Sequence, residues 1–166
     1  MLVVRSCRVA LVVLLGIVSV GACAEPSSED GSKRAASVYS EVVRWFADRS
    51  ADDPDPLPVF VEPRGEGASV PLGVQADLVN DVKDVADVRF IDTRDEALVE
   101  DDQGRLVVAD DGLLVRLSPV VEDGDRVFVD VDVHDVDDEF RTMQFDVRRS
   151  GDRWKISATP DSVPQD

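Results

Sequence analysis

The sequence predicts an α+β domain in which two amphipathic helices pack on a curved antiparallel β-meander. Two stretches in the first half of the 166-residue chain repeat apolar residues at helical spacing. From Leu106 onward apolar and polar residues instead alternate with a period of two, which indicates strands with one buried face. Short turns rich in Asp and Gly separate these runs, and strands joined by short turns pair antiparallel. Because the apolar face of such a sheet needs a cover, the two helices are expected to form a second layer.

The first helix is predicted from about Lys33 to Arg49. Its apolar stripe comprises Val38, Tyr39, Val42, Val43, Trp45 and Phe46. The proline-rich run Asp52–Pro58 ends this helix, because proline disfavours helix at its own position and at the preceding residue. A second helix is predicted from about Leu72 to Ala86, with Leu78, Val79, Val82 and Val85 on one face.

Strands are predicted at Pro58–Glu62, around Val88–Ile91, and in the alternating part of the chain. The alternating runs are Leu113–Leu117, Val127–Val133, Met143–Val147 and Trp154–Ala158. The Asp123-Gly124 pair favours a hairpin turn between the first two runs. In the last run Trp154 alternates with Lys155, so Trp154 is predicted on the helix-facing side. The sequence therefore predicts a single domain over residues 33–158 and a frayed tail over residues 159–166.

This order of elements, helices first and then a curved meander, resembles the NTF2-like and cystatin-like folds of many exported bacterial domains. The resemblance rests on element order, and no residue motif carries it. It therefore implies an architecture and no particular activity, since one fold hosts many functions.

The first 22 residues have the layout of a secretory signal peptide. Arg5 and Arg8 form a positively charged beginning, and Val9–Val20 form a short apolar run that ends in small residues. The run is shorter than the roughly 18 apolar residues that a membrane-spanning helix needs. A transmembrane helix is the alternative reading of this segment.

The tetrad Val20-Gly21-Ala22-Cys23 spans the end of this segment and resembles the lipobox of bacterial lipoproteins. The resemblance implies cleavage before Cys23, attachment of a diacylglyceryl group to its sulfur, and loss of Cys7 with the signal. It places the protein on the extracytoplasmic face of the cell membrane, held by a lipid anchor. No cysteine follows Cys23 in the sequence, so Cys23 has no partner for a disulfide within the mature domain. An incidental small residue at Cys23 is the alternative.

Residues 23–32 are predicted to be a lipidated tether. Pro, Ser and Gly disfavour packing there, and Glu25, Glu29 and Asp30 keep the segment in water.

The charge balance excludes one class of partner. The chain carries 18 basic and 35 acidic residues, a formal net charge of −17, and it has no basic stripe. Such a chain repels phosphate backbones, so nucleic acid is not expected as a partner. Charge of one sign also favours a soluble monomer. Attraction of cations or of a basic partner is the alternative reading of this charge.

The densest acidic stretch, Asp130–Glu139, superficially offers a calcium loop. The EF-hand pattern needs Gly at its sixth position and Glu at its twelfth, where Asp135 and Arg141 stand. The strict alternation of valines predicts that Asp130, Asp132 and His134 lie on the solvated face of a strand. No metal site is predicted, with weak cation binding as the alternative.

Catalytic patterns are not found in the sequence. His134 is the single histidine, with Asp132 and Asp135 nearby, but the serines show no Gly-x-Ser-x-Gly pattern. No catalytic residue and no cofactor are predicted. The aromatic residues are expected in the core or along a pocket wall, and they are Tyr39, Trp45, Phe46, Phe90 and Trp154.

The sequence therefore predicts a non-enzymatic lipoprotein that binds an envelope protein or a small molecule, neither of them identified. An envelope enzyme with a pocket between helices and sheet, and an inert structural lipoprotein, are the alternatives.

Overall fold

The computed structural model describes residues 28–50, 55–65, 67–134 and 140–162. The helices are α1 (Ser28–Ala47) and α2 (Leu72–Val82). The strands in the first half are β1 (Leu57–Pro63), β2 (Ala86–Phe90), β3 (Leu98–Glu100), β4 (Leu106–Val108) and β5 (Leu113–Leu117). Those in the second half are β6 (Val121–Asp123), β7 (Arg126–His134), β8 (Phe140–Ser150), β9 (Arg153–Ile156) and β10 (Asp161–Ser162).

The α+β class is confirmed, with two helices against a sheet that curls into a half-barrel. The main sheet has the order β10-β8-β7-β5-β1-β2, with β6 paired to β7 and β9 paired to β8. The prediction of a purely antiparallel sheet is wrong, because β1 runs parallel to both of its neighbours, β2 and β5. The physical reason is the crossover through α2, which returns the chain to the same end of the sheet before β2 begins.

The later strands form the predicted meander, since β5, β7, β8 and β9 pair antiparallel in sequence order. Two-residue loops join β6 to β7 and β8 to β9, as the pairs Asp123–Arg126 and Ser150–Arg153 show. Gly124 and Gly151 have φ values of 65° and 64° in these loops, a conformation that other residues adopt at a cost.

Both helices cover one face of this sheet, and the layer between them and the strands is filled. Val38, Val42 and Phe145 are each at most 1% exposed. Phe145 stands edge-on to two aromatic rings of α1, with centroids 5.3 Å from Trp45 and 5.8 Å from Phe46. Trp154 is half-buried on this helix-facing side, as its alternation with Lys155 predicts.

A smaller apolar cluster lies on the opposite face of the sheet. It contains Phe60, Ile91, Ala97 and Leu114, packed against residues of the β3–β4 hairpin. The sheet is therefore covered on both sides at this point, which explains why Leu114 and its neighbour Val115 are both buried. Alternation alone does not predict two consecutive buried residues.

Element ends differ from the prediction, and three of these differences change how a segment is assigned. Helix α1 begins at Ser28, inside the predicted tether. Helix α2 ends at Val82, because Ala86 already belongs to β2. Asp161–Ser162 pair with β8 inside the segment that the sequence predicts to be frayed.

Several predictions fall outside the described residues. These are the signal peptide over residues 1–22, the lipidated Cys23 with the first part of its tether, the acidic turn over residues 135–139, and the last four residues of the tail. Within the described part of the chain, no helix combines the length and the apolar character needed to cross a membrane.

Candidate functional site

The carboxylate of Asp132 is buried, which contradicts the prediction that this residue lies on a solvated strand face. Asp132 is only 5% exposed and is directed to the sheet face opposite the helices. The alternation of β7 is real, but two long arginine side chains cover this part of the polar face. The prediction is wrong because a period of two separates the faces of a strand without showing what lies over each face.

Three strands and the residue that follows β1 contribute to the charge network around Asp132. Thr142 of β8 donates a hydrogen bond of 2.7 Å to its Oδ1. Arg64, which follows β1, places Nε 3.1 Å from its Oδ2, and Arg116 of β5 places Nε 3.5 Å from the same oxygen. Arg64 also pairs with Asp130 at 3.2 Å. The network neutralises the buried carboxylate, because an unpaired buried charge would be costly.

His134 lies near this network, at the end of β7. It is 9% exposed, and its ring meets that of Phe140 edge-on with centroids 5.5 Å apart. The guanidinium of Arg116 lies over the ring of Phe140, 3.7 Å from the ring centroid. The nearby carboxylate of Asp132 accepts a hydrogen bond from Thr142 and forms ion pairs with Arg64 and Arg116.

In residues 28–50, 55–65, 67–134 and 140–162, no group of three or more His, Cys, Asp or Glu side chains is arranged to hold a metal ion. Asp130 and Asp132 face Arg64 across the network. Asp135 and Asp137 lie outside the described residues.

A largely apolar cavity of about 350 Å³ opens at the amino-terminal end of α1, and we call it the α1 pocket. Its walls come from α1, from the segment between β1 and α2, and from the segment between β5 and β6. The lining residues are Gly31, Ser32, Arg34, Ala35, Tyr39, Pro63, Arg64, Ala68, Ser69, Val70, Pro71, Val74, Leu117, Pro119, Val120 and Glu122.

Few polar groups converge on the α1 pocket, and described partners engage them. Tyr39 donates a hydrogen bond of 2.9 Å from its hydroxyl to the main-chain oxygen of Ser118. Arg34 forms an ion pair with Glu122, which joins α1 to β6 across the pocket. Arg64 reaches from the pocket wall into the Asp132 network. The pocket therefore has an apolar interior with ion pairs at its edge.

The segment between β1 and α2 is held in place by main-chain and side-chain hydrogen bonds. The amide of Arg64 donates to the oxygen of Leu117 at 3.2 Å, which continues the β1–β5 ladder by one bond. The Gln75 side chain donates to the oxygen of Val70 at 2.8 Å. Val70 and Val74 are thereby fixed as one wall of the α1 pocket.

A second cavity, of about 600 Å³, lies at the other end of the domain among Asp48, Asp55, Asp84, Asp110 and Asp111. It is bordered by residues that directly precede and follow positions 51–54, which lie outside the described part of the chain.

Of the five aromatic residues that the sequence predicts in the core or along a pocket wall, one lines the α1 pocket. Tyr39 was expected in the core or along a pocket wall, and it occupies both places, since it is 6% exposed and lines the cavity. Arg34, Arg64 and the Val70–Val74 segment were not expected there. These residues come together at the pocket because β1 lies parallel to β5. The alternation of apolar residues in the later strands does not predict where β1 lies.

Burial raises the pKa of the Tyr39 hydroxyl to about 12. Because the chain contains one tyrosine, the rise in ultraviolet absorbance that accompanies tyrosinate formation reports this group alone. The folded protein should form tyrosinate near pH 12, whereas urea-unfolded protein should do so near the ordinary value of about 10. The neutral phenol is favoured in the folded state, so stability is fully present below about pH 10 and is lost as the pH rises toward 12.

The matched control for this titration is Tyr39→Phe, which should show no tyrosinate signal and a weaker alkaline loss of stability. A folded-state transition near pH 10 would mean that the Tyr39 hydroxyl is open to solvent.

Comparison with known proteins identifies no relative of this chain. No protein-family model matches it, and no curated protein or solved structure matches it either.

Proposed function

We propose that this protein is a lipid-anchored extracytoplasmic lipoprotein whose domain is a non-catalytic binding module. We propose further that the α1 pocket holds an uncharged, largely apolar small ligand. The observation that carries this proposal is the pocket itself, a cavity of about 350 Å³ with a mainly aliphatic and aromatic wall. Ligand sites are usually concave and apolar, with few polar groups, and have volumes from about 300 Å³ upward.

The charges around the α1 pocket favour a neutral ligand. Arg34 is engaged by Glu122, and Arg64 is engaged by Asp130 and Asp132. An anionic ligand would have to displace these carboxylates, and the net charge of −17 would oppose its approach. An uncharged ligand meets neither cost.

The anchor is supported by the sequence Val20-Gly21-Ala22-Cys23 and by the lack of any later cysteine. Two acyl chains on Cys23 would hold the protein durably, because each buried methylene contributes about 0.8 kcal/mol and one myristoyl chain is only marginal. From Cys23 to Ser28, where α1 begins, the chain can span at most about 17 Å. Gly31, Ser32 and Ala35 of the α1 pocket follow within two turns of that start, so the pocket would lie close to the lipid surface.

The non-catalytic reading is supported by the arrangement around Asp132 and His134. The buried carboxylate is neutralised by Arg64 and Arg116, and the imidazole packs on Phe140. These contacts hold neighbouring strands together.

For the architecture, we propose a variant of the NTF2-like or cystatin-like arrangement. The support is one curled sheet with both helices on one of its faces and an antiparallel meander at its centre. The parallel pair of β1 and β2 departs from that pattern.

The anchor is tested by Cys23→Ser in cells that express the full chain. If Cys23 carries the lipid, the variant should lose incorporation of labelled fatty acid and should leave the membrane fraction or remain unprocessed. Cys7→Ser is the matched control and should keep both properties. Unchanged labelling of the Cys23→Ser variant would refute the lipoprotein proposal.

The pocket is tested with the neutral fluorescent hydrophobe N-phenyl-1-naphthylamine and a soluble chain that begins at Ala24. Gly31 is exposed, lines the α1 pocket, and has open space where a side chain would begin, so Gly31→Trp fills the mouth without disturbing the core. We expect saturable binding to the unmodified chain and a loss of about tenfold in affinity with Gly31→Trp, equivalent to about 1.4 kcal/mol.

The control for the pocket test is Ala76→Trp, which adds the same side chain at an exposed position of α2 away from the cavity lining. It should leave probe binding unchanged. Equal binding by all three chains would show that the probe does not enter the α1 pocket.

A further inference from the structure

Helix α2 carries apolar residues on two faces, and one of these faces is directed away from the domain. Val74, Leu78 and Val82 are each at most 1% exposed and form the face that packs in the core. Leu72 and Val79, in contrast, are 82% and 39% exposed. Two large aliphatic side chains therefore lie on the outer surface of a helix of 11 residues.

The exposed apolar residues of α2 share one line along the helix. Because 3.6 residues make one turn, each residue is rotated by about 100° from the one before it. Ala76 and Val79 stand four and seven residues after Leu72, so these three side chains lie within about 60° of one another. Lys83 keeps helical backbone angles, with φ −49° and ψ −24°, and continues the line at its far end. We call these four exposed residues the α2 stripe.

The carboxylates of α2 lie away from the α2 stripe. Asp77 and Asp81 are rotated by about 140° and 180° from Leu72, and Asp81 accepts a hydrogen bond of 3.2 Å from a serine of α1. Gln75 and Asn80, which flank the stripe, are uncharged. The chain contains 35 acidic residues, so an outward helix face with apolar side chains and one lysine is a local departure from its composition.

The α2 stripe begins near the point where the proposed anchor enters the domain. Pro71, directly before Leu72, lines the α1 pocket together with Gly31 from the first turn of α1. The chain from Cys23 to Ser28, where α1 begins, spans at most about 17 Å. Helix α2 is about 16 Å long at 1.5 Å per residue. The tether is therefore long enough for α2 to lie along the bilayer that holds Cys23.

From this placement we propose that α2 lies along the membrane surface with the α2 stripe facing the lipid. The inference rests on the proposed anchor at Cys23 and does not depend on the ligand of the α1 pocket. Leu72 and Val79 enter the boundary between headgroups and acyl chains, as the apolar side chains of interfacial helices do. Lys83 runs its aliphatic stem along the same surface, and its ammonium group reaches the lipid phosphates.

A lipid surface fits the α2 stripe better than a protein partner does. Stable protein interfaces bury about 1,200 Å² or more, whereas the stripe covers two turns of one short helix. Such a small apolar surface is too weak to recruit a soluble protein to a bilayer. A domain that is already tethered meets the bilayer at a high effective concentration, so a weak contact is sufficient. The net charge of −17 opposes anionic headgroups elsewhere on the domain, and the stripe is a face that avoids this repulsion.

The orientation is tested with spin labels on the lipidated chain, expressed in full, purified from membranes and reconstituted in vesicles of phosphatidylethanolamine and phosphatidylglycerol. Separate variants carry the label at Leu72→Cys, Ala76→Cys or Asp77→Cys, and the unsubstituted chain sets the labelling background. Oxygen concentrates in hydrocarbon and a polar nickel chelate stays in water, so their collision rates with the label distinguish the two surroundings. Leu72→Cys and Ala76→Cys should collide several-fold more with oxygen than with nickel. Asp77→Cys, next to Ala76 but off the stripe, should show the reverse.

Each other outcome would overturn the proposal in a recognisable way. Equal nickel collisions at Ala76→Cys and Asp77→Cys would show that the α2 stripe faces water. Low collision rates with both reagents at Leu72→Cys and Ala76→Cys would show that protein, such as a second copy of the chain, covers the stripe. Absence of the chain from floated vesicles would refute the anchor itself, and with it the contact that rests on the anchor. Thermal melts equal to that of the unsubstituted chain check that the variants fold.

A charge placed within the α2 stripe provides a second test, with the label at Leu72→Cys as the reporter. Ala76→Asp should raise the nickel collisions of this label several-fold, because a carboxylate is costly to place against hydrocarbon. Asp77→Asn also changes the charge of α2 by one unit, but off the stripe, and should leave the label unchanged. An unchanged label in the Ala76→Asp variant would contradict the proposed contact.

Discussion

The fold depends on the neutralisation of one buried carboxylate. Asp132 of β7 accepts a hydrogen bond from Thr142 of β8 and ion pairs from Arg116 of β5 and Arg64 after β1. A carboxylate in this position is tolerated only when charged partners surround it. The network forms only with the end of β1 beside β5, in the parallel placement that the α2 crossover allows, and it fixes the direction in which the chain leaves β1.

The α1 pocket follows from that constraint. Arg64 begins the segment that crosses to α2, and its guanidinium is held by Asp130 and Asp132 while its neighbours form the pocket wall. Residues such as Phe145 fill the layer between the middle of α1 and the strands. The α1 pocket lies beyond this filled layer, at the amino-terminal end of the helix. If Cys23 carries the proposed lipid, this is also the end of the domain nearest the membrane. One charge network thereby links the sheet order to the position of the proposed binding site.

The periodicity of apolar residues predicts those helices and strands whose formation depends on the nearby sequence alone. Apolar spacing predicted both helices, and alternation with Asp-Gly and Ser-Gly turns predicted the antiparallel meander. It did not predict the parallel placement of β1, which depends on the α2 crossover, nor the burial of Asp132, which depends on Arg64 from a distant part of the sequence. Leu114 shows the same limit, because the cover over its face comes from a separate hairpin. A local pattern assigns faces, and only tertiary contacts decide what covers them.

The most direct test of the role of Asp132 compares the free energies of unfolding of Asp132→Asn and Asp125→Asn, measured by urea melts. Asp125 is exposed in the loop between β6 and β7 and is the matched control. Loss of the buried charge leaves Arg64 and Arg116 without their common partner, so Asp132→Asn should cost about 3 kcal/mol. Asp125→Asn should change stability by no more than about 0.5 kcal/mol. Equal, small effects of both substitutions would contradict the account and would place Asp132 on a solvated strand face.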